Sequence, residues 1–151
     1  MISAELDTNT IVSALLIPRG IPSQILDAAL AGDFACFSSD PIVSEVLRTL
    51  GRQRVQRKYQ VALVEIERVR RFLESDLVTV SVDVPVQGVA THPEDDLVLA
   101  TALSAQADYL VTGDRQLLRL GAFRGTIVLT PREILERLVQ QAAEPGALRD
   151  E

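Results

Sequence analysis

Hydrophobic and polar positions alternate along the chain in blocks whose lengths distinguish strands from helices. Short apolar blocks typical of strands occupy residues 2–6, 34–37, 77–82, 109–112 and 127–130. Longer segments with apolar positions at helical spacing occupy residues 11–16, 22–31, 42–50, 61–73, 95–105, 115–120 and 131–141. Strands of nearly continuous apolar sequence that alternate with helices are typical of a parallel sheet covered on both faces. The pattern therefore predicts an α/β fold.

Polar residues and prolines mark where several of these helices begin. Residues 38–41 (SSDP) have the form of a helix start after the second strand. Residues 91–94 (THPE) have the form of a capping box before the helix at 95–105. The last ten residues, 142–151, carry little apolar weight. We therefore expect a single domain over residues 1–141, followed by a frayed tail.

Composition narrows the class of protein. The chain has 151 residues, of which 47% are hydrophobic and 24% charged, so it is neither disordered nor collagen-like. The sequence has no run of about 18 apolar residues, so it predicts no membrane span. The N-terminus does not resemble a signal peptide. We expect a cytoplasmic protein with no membrane partner.

Single-residue counts restrict the chemistry further. The chain contains one histidine (His92), one cysteine (Cys36) and one lysine (Lys58). One histidine excludes a paired-histidine metal site, and one cysteine excludes an internal disulfide and a cysteine-rich zinc site. Any catalytic chemistry in this chain is therefore carboxylate chemistry.

Several carboxylates stand at the ends of predicted strands or the beginnings of predicted helices. Asp7 ends the first strand, and Asp114 follows the strand at 109–112. Glu45 lies one turn into the helix after the second strand, and Asp95 and Asp96 open the helix before the fourth strand. Ligands of open parallel sheets bind outside the carboxyl ends of the strands. We therefore expect these side chains to converge at one edge of the sheet.

Carboxylates that converge in one cleft repel one another, so they require raised pKa values or a bound cation. Oxygen ligands suit hard ions, which favours Mg²⁺ or Mn²⁺. Such an ion activates water, orients a phosphodiester and stabilises the leaving oxygen. The sequence is therefore compatible with metal-dependent hydrolysis of phosphodiesters.

Four segments carry a more specific signal because they occur in a fixed order. They are residues 6–9 (LDTN), 38–47 (SSDPIVSEVL), 92–102 (HPEDDLVLATA) and 109–114 (YLVTGD). Together they resemble the ordered motifs of PIN-domain ribonucleases, and within these the VapC-like toxins of bacterial toxin–antitoxin pairs. The resemblance extends from about residue 6 to about residue 135.

The resemblance implies a three-layer α/β/α sandwich with a central parallel sheet. It also implies Mg²⁺- or Mn²⁺-dependent cleavage of single-stranded RNA, a small antitoxin partner and a homodimer. The family's acidic positions fall on Asp7, Glu45, Asp95 and Asp114. Its supporting polar positions fall on Asn9 and Thr112.

The metal ligands expected from this comparison are Asp7, Asp95, Asp96 and Asp114. Adjacent helical residues point about 100° apart, so Asp95 and Asp96 are not expected to do the same job. The resemblance makes Asp95 the better candidate, and Asp96 either joins the metal ligands or caps the helix.

Other functions are compatible with an acidic pocket. A haloacid-dehalogenase-like phosphatase needs a second aspartate at the position of Asn9, and a receiver domain needs a late lysine, so neither fits. A catalytically silent PIN-like module that binds RNA or protein stays open. Cleavage of RNA by the purified protein would distinguish it from a nuclease.

The net charge of −6 does not exclude RNA, because the charge is unevenly distributed. Residues 46–72 carry eight basic and two acidic residues. A charge run is usually a solvated helical face. Its position after Glu45 nevertheless allows it to hold a phosphate backbone. The candidate RNA-binding residues are Arg48, Arg52, Arg54, Arg57 and Lys58.

Overall fold

A computed structural model of the protein describes residues 1–60, 63–90 and 92–144. The strands are β1 (Ser3–Leu6), β2 (Ala35–Ser38), β3 (Val78–Thr79), β4 (Tyr109–Val111), β5 (Ala122–Phe123) and β6 (Thr126–Leu129). The helices are α1 (Thr8–Leu16), α2 (Ile21–Leu30), α3 (Asp40–Leu50), α4 (Gln53–Tyr59), α5 (Leu63–Ser75), α6 (Pro93–Ser104), α7 (Arg115–Leu120) and α8 (Pro131–Ala143).

The strands form one six-stranded sheet in the order β3-β2-β1-β4-β6-β5. Strands β1, β2, β3, β4 and β6 pair in parallel, and β5 pairs antiparallel with β6. The prediction of a central parallel sheet between helical layers is confirmed, with one antiparallel edge strand that the sequence did not indicate.

The strand order places a switch point beside β1. The chain runs from β1 to β2 and β3 on one side, then returns to β4 on the other side of β1. At such a point the two connections leave the carboxyl ends of adjacent strands in opposite directions, and a crevice opens between them. Asp7 and Asp114 follow the two strands, β1 and β4, that flank this crevice.

The predicted strand at 77–82 is wrong in length, because β3 contains only Val78 and Thr79. The Val80 N–H still donates to the Ser38 carbonyl at 2.9 Å. Beyond it, the N–H groups of Asp83 and Val84 donate to the Ser104 hydroxyl on α6. The loop therefore turns away from the sheet because α6 satisfies its backbone donors.

Helix starts also differ from the sequence prediction. Helix α1 begins at Thr8, three residues earlier than the apolar spacing indicates, because the Asp7 carboxylate caps it. The capping box expected at 91–94 includes Thr91, which lies outside the described residues. Its helix begins after His92, whose side chain makes no capping hydrogen bond. A capping box does open α8, between Thr130 and Glu133.

The C-terminal end of the fold can be compared with the expected tail only in part. Helix α8 continues to Ala143, two residues past the predicted helix end at 141. Residues 145–151 lie outside the described part of the chain, so most of the tail stays a prediction. None of the described helices is long and apolar enough to cross a membrane.

Side chains from both helical layers pack against the sheet to form the core, in which Leu6, Leu110 and Leu129 are almost completely buried. Cys36 is also buried in β2, as the sequence indicates. Burial, with a smaller contribution from the nearby Glu5, raises the pKa of the Cys36 thiol to about 12. The only thiol is thus a core residue and not a reactive one.

Glu5 is the exception in this core, because it is a carboxylic acid that is fully buried in the middle of β1. Its register neighbours are Phe37 on β2 and Leu110 on β4. Within residues 1–60, 63–90 and 92–144, neither carboxyl oxygen has a hydrogen-bond partner. Burial, and then the charge of Asp7, raise the pKa of Glu5 well above its usual value of 4.5. Glu5 therefore lowers the stability of the fold at neutral pH.

This predicts the effect of replacing Glu5 with leucine. Above the unfolded-state pKa, the folded protein keeps a proton that the unfolded chain releases, so stability falls as pH rises towards the folded-state pKa. Glu5→Leu should raise the free energy of unfolding at pH 7 by about 1–3 kcal/mol. It should also weaken the loss of stability between pH 5 and pH 8, measured by urea unfolding.

Glu5→Gln is the matched control, because it removes the titration and keeps a buried polar group. We expect it to weaken the pH dependence as Glu5→Leu does, with a smaller gain at pH 7. A Glu5→Leu protein that unfolds at lower urea than the wild type at pH 7 would show that the buried carboxyl is stabilising.

Candidate functional site

Asp7 lies where β1 ends and α1 begins, and its carboxylate is held on both sides. One oxygen, Oδ1, accepts from the backbone N–H of Thr10 at 2.8 Å. The other, Oδ2, accepts from the Thr112 hydroxyl at 2.5 Å. The residue is only 6% exposed. Each oxygen can still accept a further ligand, since a carboxylate offers about four lone-pair positions.

Thr112 connects Asp7 to the second strand-end carboxylate. While its hydroxyl donates to Asp7, it accepts from the backbone N–H of Asp114 at 3.0 Å. Thr112 itself is completely buried at the end of β4. This is the supporting position expected from the sequence, and its contacts show how it supports: one hydroxyl positions two acidic loops.

Asp114 is a helix cap and also faces the crevice, so the two roles considered for it coexist. Its Oδ1 accepts from the backbone N–H groups of Gln116 and Leu117 at 2.8 and 3.2 Å, which caps α7. The side chain also lines a cleft of about 300 Å³ at the carboxyl edge of the sheet. Capping fixes the carboxylate at that edge.

The same cleft collects most of the acidic residues expected from the sequence. Asp95, on the first turn of α6, and Glu45, on α3, line it together with Asp7 and Asp114. The exposed side chain of Asn9 lines it too. The structure therefore brings together carboxylates that are up to 107 residues apart in sequence.

Electrostatic coupling follows from this arrangement. Burial raises the pKa of Asp7, against the effect of its hydrogen bonds from Thr10 and Thr112, and the charge of Asp114 raises it further. Partial burial and then the charge of Asp114 raise the pKa of Asp95, which the nearby His92 opposes. Asp114 therefore makes the ionised forms of both neighbours less favourable, as expected for carboxylates that share a site.

The environment of Glu45 differs from that of the three aspartates, because an arginine forms an ion pair with each of its carboxylate oxygens. Arg48 Nη1 lies 2.7 Å from Oε2, and Arg52 Nη2 lies 3.6 Å from Oε1. Arg52 also lines the cleft. The rim of the cleft beside Glu45 is therefore basic, while its centre is acidic.

The structure does not bring Asp96 into the cleft. Its carboxylate accepts from three backbone N–H groups of the preceding loop, those of Gly88, Val89 and Ala90, at 2.9, 3.2 and 2.7 Å. The residue is buried against that loop. Asp96 therefore differs from the expected metal ligand, and its contacts fit the structural alternative: it ties the loop to α6.

The candidate RNA-binding residues continue outward from the rim. Arg54, Arg57 and Lys58 are exposed on α4, the short helix that begins directly after Arg52. They do not line the cleft. The sequence grouped these residues with a basic stretch, and the structure places them on a helix of their own.

The titratable residues at or behind the cleft that were not selected from the sequence are His92, Glu94 and Glu5. His92 lines the cleft next to Glu94, although the sequence indicates only a loop position. Glu5 precedes Asp7 by two residues on the same strand, and residues at this spacing face the same side of a sheet. The sequence does contain a signal for Glu5, since it is a glutamate within an otherwise apolar strand.

The donor set can be compared with the requirements of a divalent ion. Among the described residues, no three histidine, cysteine or acidic side chains are arranged to hold one ion as they stand. Mg²⁺, however, usually keeps several waters and binds through one or two carboxylates. The three mutually repelling carboxylates of Asp7, Asp95 and Asp114 supply oxygen donors of that kind. The chemistry of the cleft therefore fits a hard divalent cation.

Comparison with known protein families is consistent with this geometry. A family model described as PIN domain matches residues 4–116, a region that contains every acidic residue of the cleft. PIN domains are generally nucleases and typically bind divalent metal. A search of curated proteins finds none that matches. Because this family model matches more than half of the chain, the protein belongs to the PIN domain family and has a nuclease-type fold.

Proposed function

We propose that this protein is a metal-dependent endoribonuclease that hydrolyses phosphodiester bonds of single-stranded RNA. The observation that carries the proposal is the convergence of Asp7, Asp95 and Asp114 in one cleft beside the switch point of a PIN fold. Glu45 and Arg52 on the rim of the cleft add a further carboxylate and a phosphate-binding group.

Asp7, Asp95 and Asp114 would hold Mg²⁺ or Mn²⁺ in this proposal. A bound ion of this type supplies an activated water and stabilises charge on the leaving oxygen. Asp7 and Asp114 are fixed by hydrogen bonds before any ion binds. The preorganised pair therefore requires little rearrangement to receive a cation.

Glu45 is proposed as a further ligand or as the residue that orients the attacking water. Its contact with Arg48 at 2.7 Å keeps its side chain on the rim beside the acidic centre. Thr112 is proposed as a positioning residue, since its hydroxyl holds Asp7 and the Asp114 backbone together. Asn9 is proposed as a polar contact for substrate at the mouth of the cleft.

We also propose that the chain is the toxin of a toxin–antitoxin pair, that it has a small antitoxin partner and that it forms a homodimer. The support is the motif resemblance to VapC-like toxins within the PIN family. A location in the cytoplasm stays a prediction. Light scattering of the purified protein measures its oligomeric state, and a monomer at micromolar concentration would contradict the homodimer.

The first test of the nuclease is Asp7→Asn. Mutation of a residue that only hydrogen-bonds a metal ligand typically lowers metal affinity or activity by about 10–100-fold. Loss of a ligand itself should therefore lower cleavage by about 100-fold or more. The measurement is cleavage of defined single-stranded RNAs with Mg²⁺, with Mn²⁺ and with excess chelator. Circular dichroism should show a folded variant, because asparagine retains an oxygen for the Thr10 N–H.

Cleavage of RNA by the wild type in excess chelator would contradict the metal dependence. A folded wild type that binds RNA without cleaving it under any of these conditions would instead favour a catalytically silent binding module. Glu136→Gln, on α8 and away from the cleft lining, removes the same charge and should cleave as the wild type does.

Asp95 and Asp96 offer a matched pair of substitutions. Asp95→Asn should lower cleavage by about 100-fold with little change in stability, since Asp95 is half-buried and lines the cleft. Asp96→Asn should lower the free energy of unfolding by about 1–3 kcal/mol through its three loop hydrogen bonds. Its cleavage per folded molecule should fall by less than about 5-fold. Equal losses of cleavage would mean that both residues act in catalysis.

Thr112→Val tests the positioning of the two acidic loops. Valine has nearly the same shape and lacks the hydroxyl, so we expect cleavage and Mn²⁺ affinity each to fall by about 10–100-fold. Mn²⁺ affinity can be measured by calorimetry without RNA. Thr112→Ser restores the hydroxyl and should recover most of both losses. Unchanged Mn²⁺ affinity in Thr112→Val would show that the hydroxyl does not prepare the metal site.

A further inference from the structure

An uninterrupted basic segment leaves the acidic cleft directly after Glu45. We call residues 46–60 the basic segment; it contains Arg48, Arg52, Arg54, Arg57 and Lys58 and no acidic residue. It runs from α3 through Gly51 and Arg52 into α4, which has no buried residue. Because α4 contributes nothing to the core, packing does not explain its composition.

The two arginines next to Glu45 are held differently. The Arg48–Glu45 distance of 2.7 Å is that of a charge-assisted hydrogen bond. The Arg52–Glu45 distance of 3.6 Å is beyond hydrogen-bond range, so this contact is an ion pair only. Exposed ion pairs contribute little, so Arg52 can leave Glu45 at small cost while Arg48 keeps the carboxylate in place.

Arg52 is also the only cation of the basic segment among the residues that line the cleft. Arg52 therefore connects the cleft, where the reacting phosphodiester would lie, to α4, which begins at the next residue and carries the exposed cations. Arg57 and Lys58 follow Arg54 by three and four residues, so each of them neighbours Arg54 on the same side of the helix. An extended polyanion that leaves the cleft past Arg52 would meet these three charges next.

We propose that Arg52 is a substrate-positioning residue that exchanges its ion pair with Glu45 for a phosphate of single-stranded RNA. Arg54, Arg57 and Lys58 then bind the backbone that leaves the cleft. This inference rests on the proposed ribonuclease function and adds to it a defined path for the substrate.

Single-stranded RNA fits this surface better than an acidic protein segment does. Non-specific single-strand binding combines a basic track with aromatic faces on which bases stack. The half-buried Tyr59 lies at the end of α4, with the Lys58 ammonium 5.3 Å from its ring centroid. The basic segment thus offers phosphate contacts and one aromatic ring on the same short helix.

The test measures binding of a fluorescent 12-nucleotide oligouridylate by anisotropy, in excess chelator and over a series of salt concentrations. Arg52→Gln should weaken binding by about 3- to 10-fold at low salt. Loss of one phosphate contact should reduce the slope of log affinity against log salt by about 0.7. In cleavage assays with Mg²⁺, KM should rise by more than kcat falls, as expected for a residue that binds substrate.

Arg124→Gln is the matched control, because it removes the same charge from the turn before β6, at the opposite edge of the sheet. Its salt slope should equal that of the wild type. An equal reduction of the slope in Arg124→Gln would mean that the effect reflects overall charge and not a contact at Arg52.

Glu45→Gln tests the exchange itself, because it frees Arg52. We expect RNA binding to tighten by about 1.5- to 5-fold, in line with the small worth of an exposed ion pair. In the Arg52→Gln background this gain should be lost, since the two substitutions act on one contact. Glu94→Gln, which removes another charge from the cleft lining, should have the same effect in both backgrounds.

The outcomes distinguish this inference from the proposed function. If the wild type cleaves RNA but Arg52→Gln leaves the salt slope and KM unchanged, the inference is wrong and the ribonuclease stands. If the wild type cleaves RNA but does not bind it in excess chelator, the basic segment does not bind the RNA backbone and the inference is wrong. If it neither binds nor cleaves RNA with or without metal, the proposed function itself fails.

Discussion

The hydrogen bonds of one buried hydroxyl hold the acidic site together. Thr112 donates to Asp7 and accepts from the Asp114 backbone, so it joins the loops that follow β1 and β4. Without this link, two carboxylates whose charges repel would have to be kept close by backbone geometry alone. Each carboxylate also caps the helix that follows it, so the same contacts that place the site start α1 and α7.

At the rim of the acidic cleft, arginines offset the negative charge. In the core behind the cleft, a buried carboxyl lowers the stability of the fold. Arg48 and Arg52 neutralise Glu45 at the surface, where solvent screens the remaining charge. Behind Asp7, the buried carboxyl of Glu5 has no partner in the part of the chain that the structure describes. Glu5 therefore weakens the fold, whereas Asp7 and Asp114 repel each other but also cap α1 and α7.

Much of the fold and of the site could be predicted from the sequence, because strand ends are visible in it. A polar residue directly after an apolar strand lies at the carboxyl edge if the sheet is parallel, and this placed Asp7 and Asp114. Helical geometry predicts that Asp95 and Asp96 point in different directions. Which of the two faces the cleft depends on the loop at 88–90, whose N–H groups donate to the Asp96 carboxylate. That loop carries no periodic signal.

Other features depended on contacts between distant parts of the chain. The shortness of β3 follows from hydrogen bonds between the next loop and Ser104 on α6, which no local pattern encodes. The burial of Glu5 follows from its neighbours on β2 and β4. The ion pairs of Glu45 depend on where Arg52 lies after α3 ends at Gly51, because a charge run in sequence does not specify its partners.

The two edges of the sheet restrict how copies of this chain can associate. Each edge strand, β3 and β5, is only two residues long, and the loop beyond β3 turns towards α6. A strand from another molecule would find a backbone ladder too short to pair with, which is how natural sheets avoid edge-to-edge aggregation. Stable self-association of this chain would therefore have to use helical surfaces, and its interface would consist of side-chain packing rather than a continued sheet.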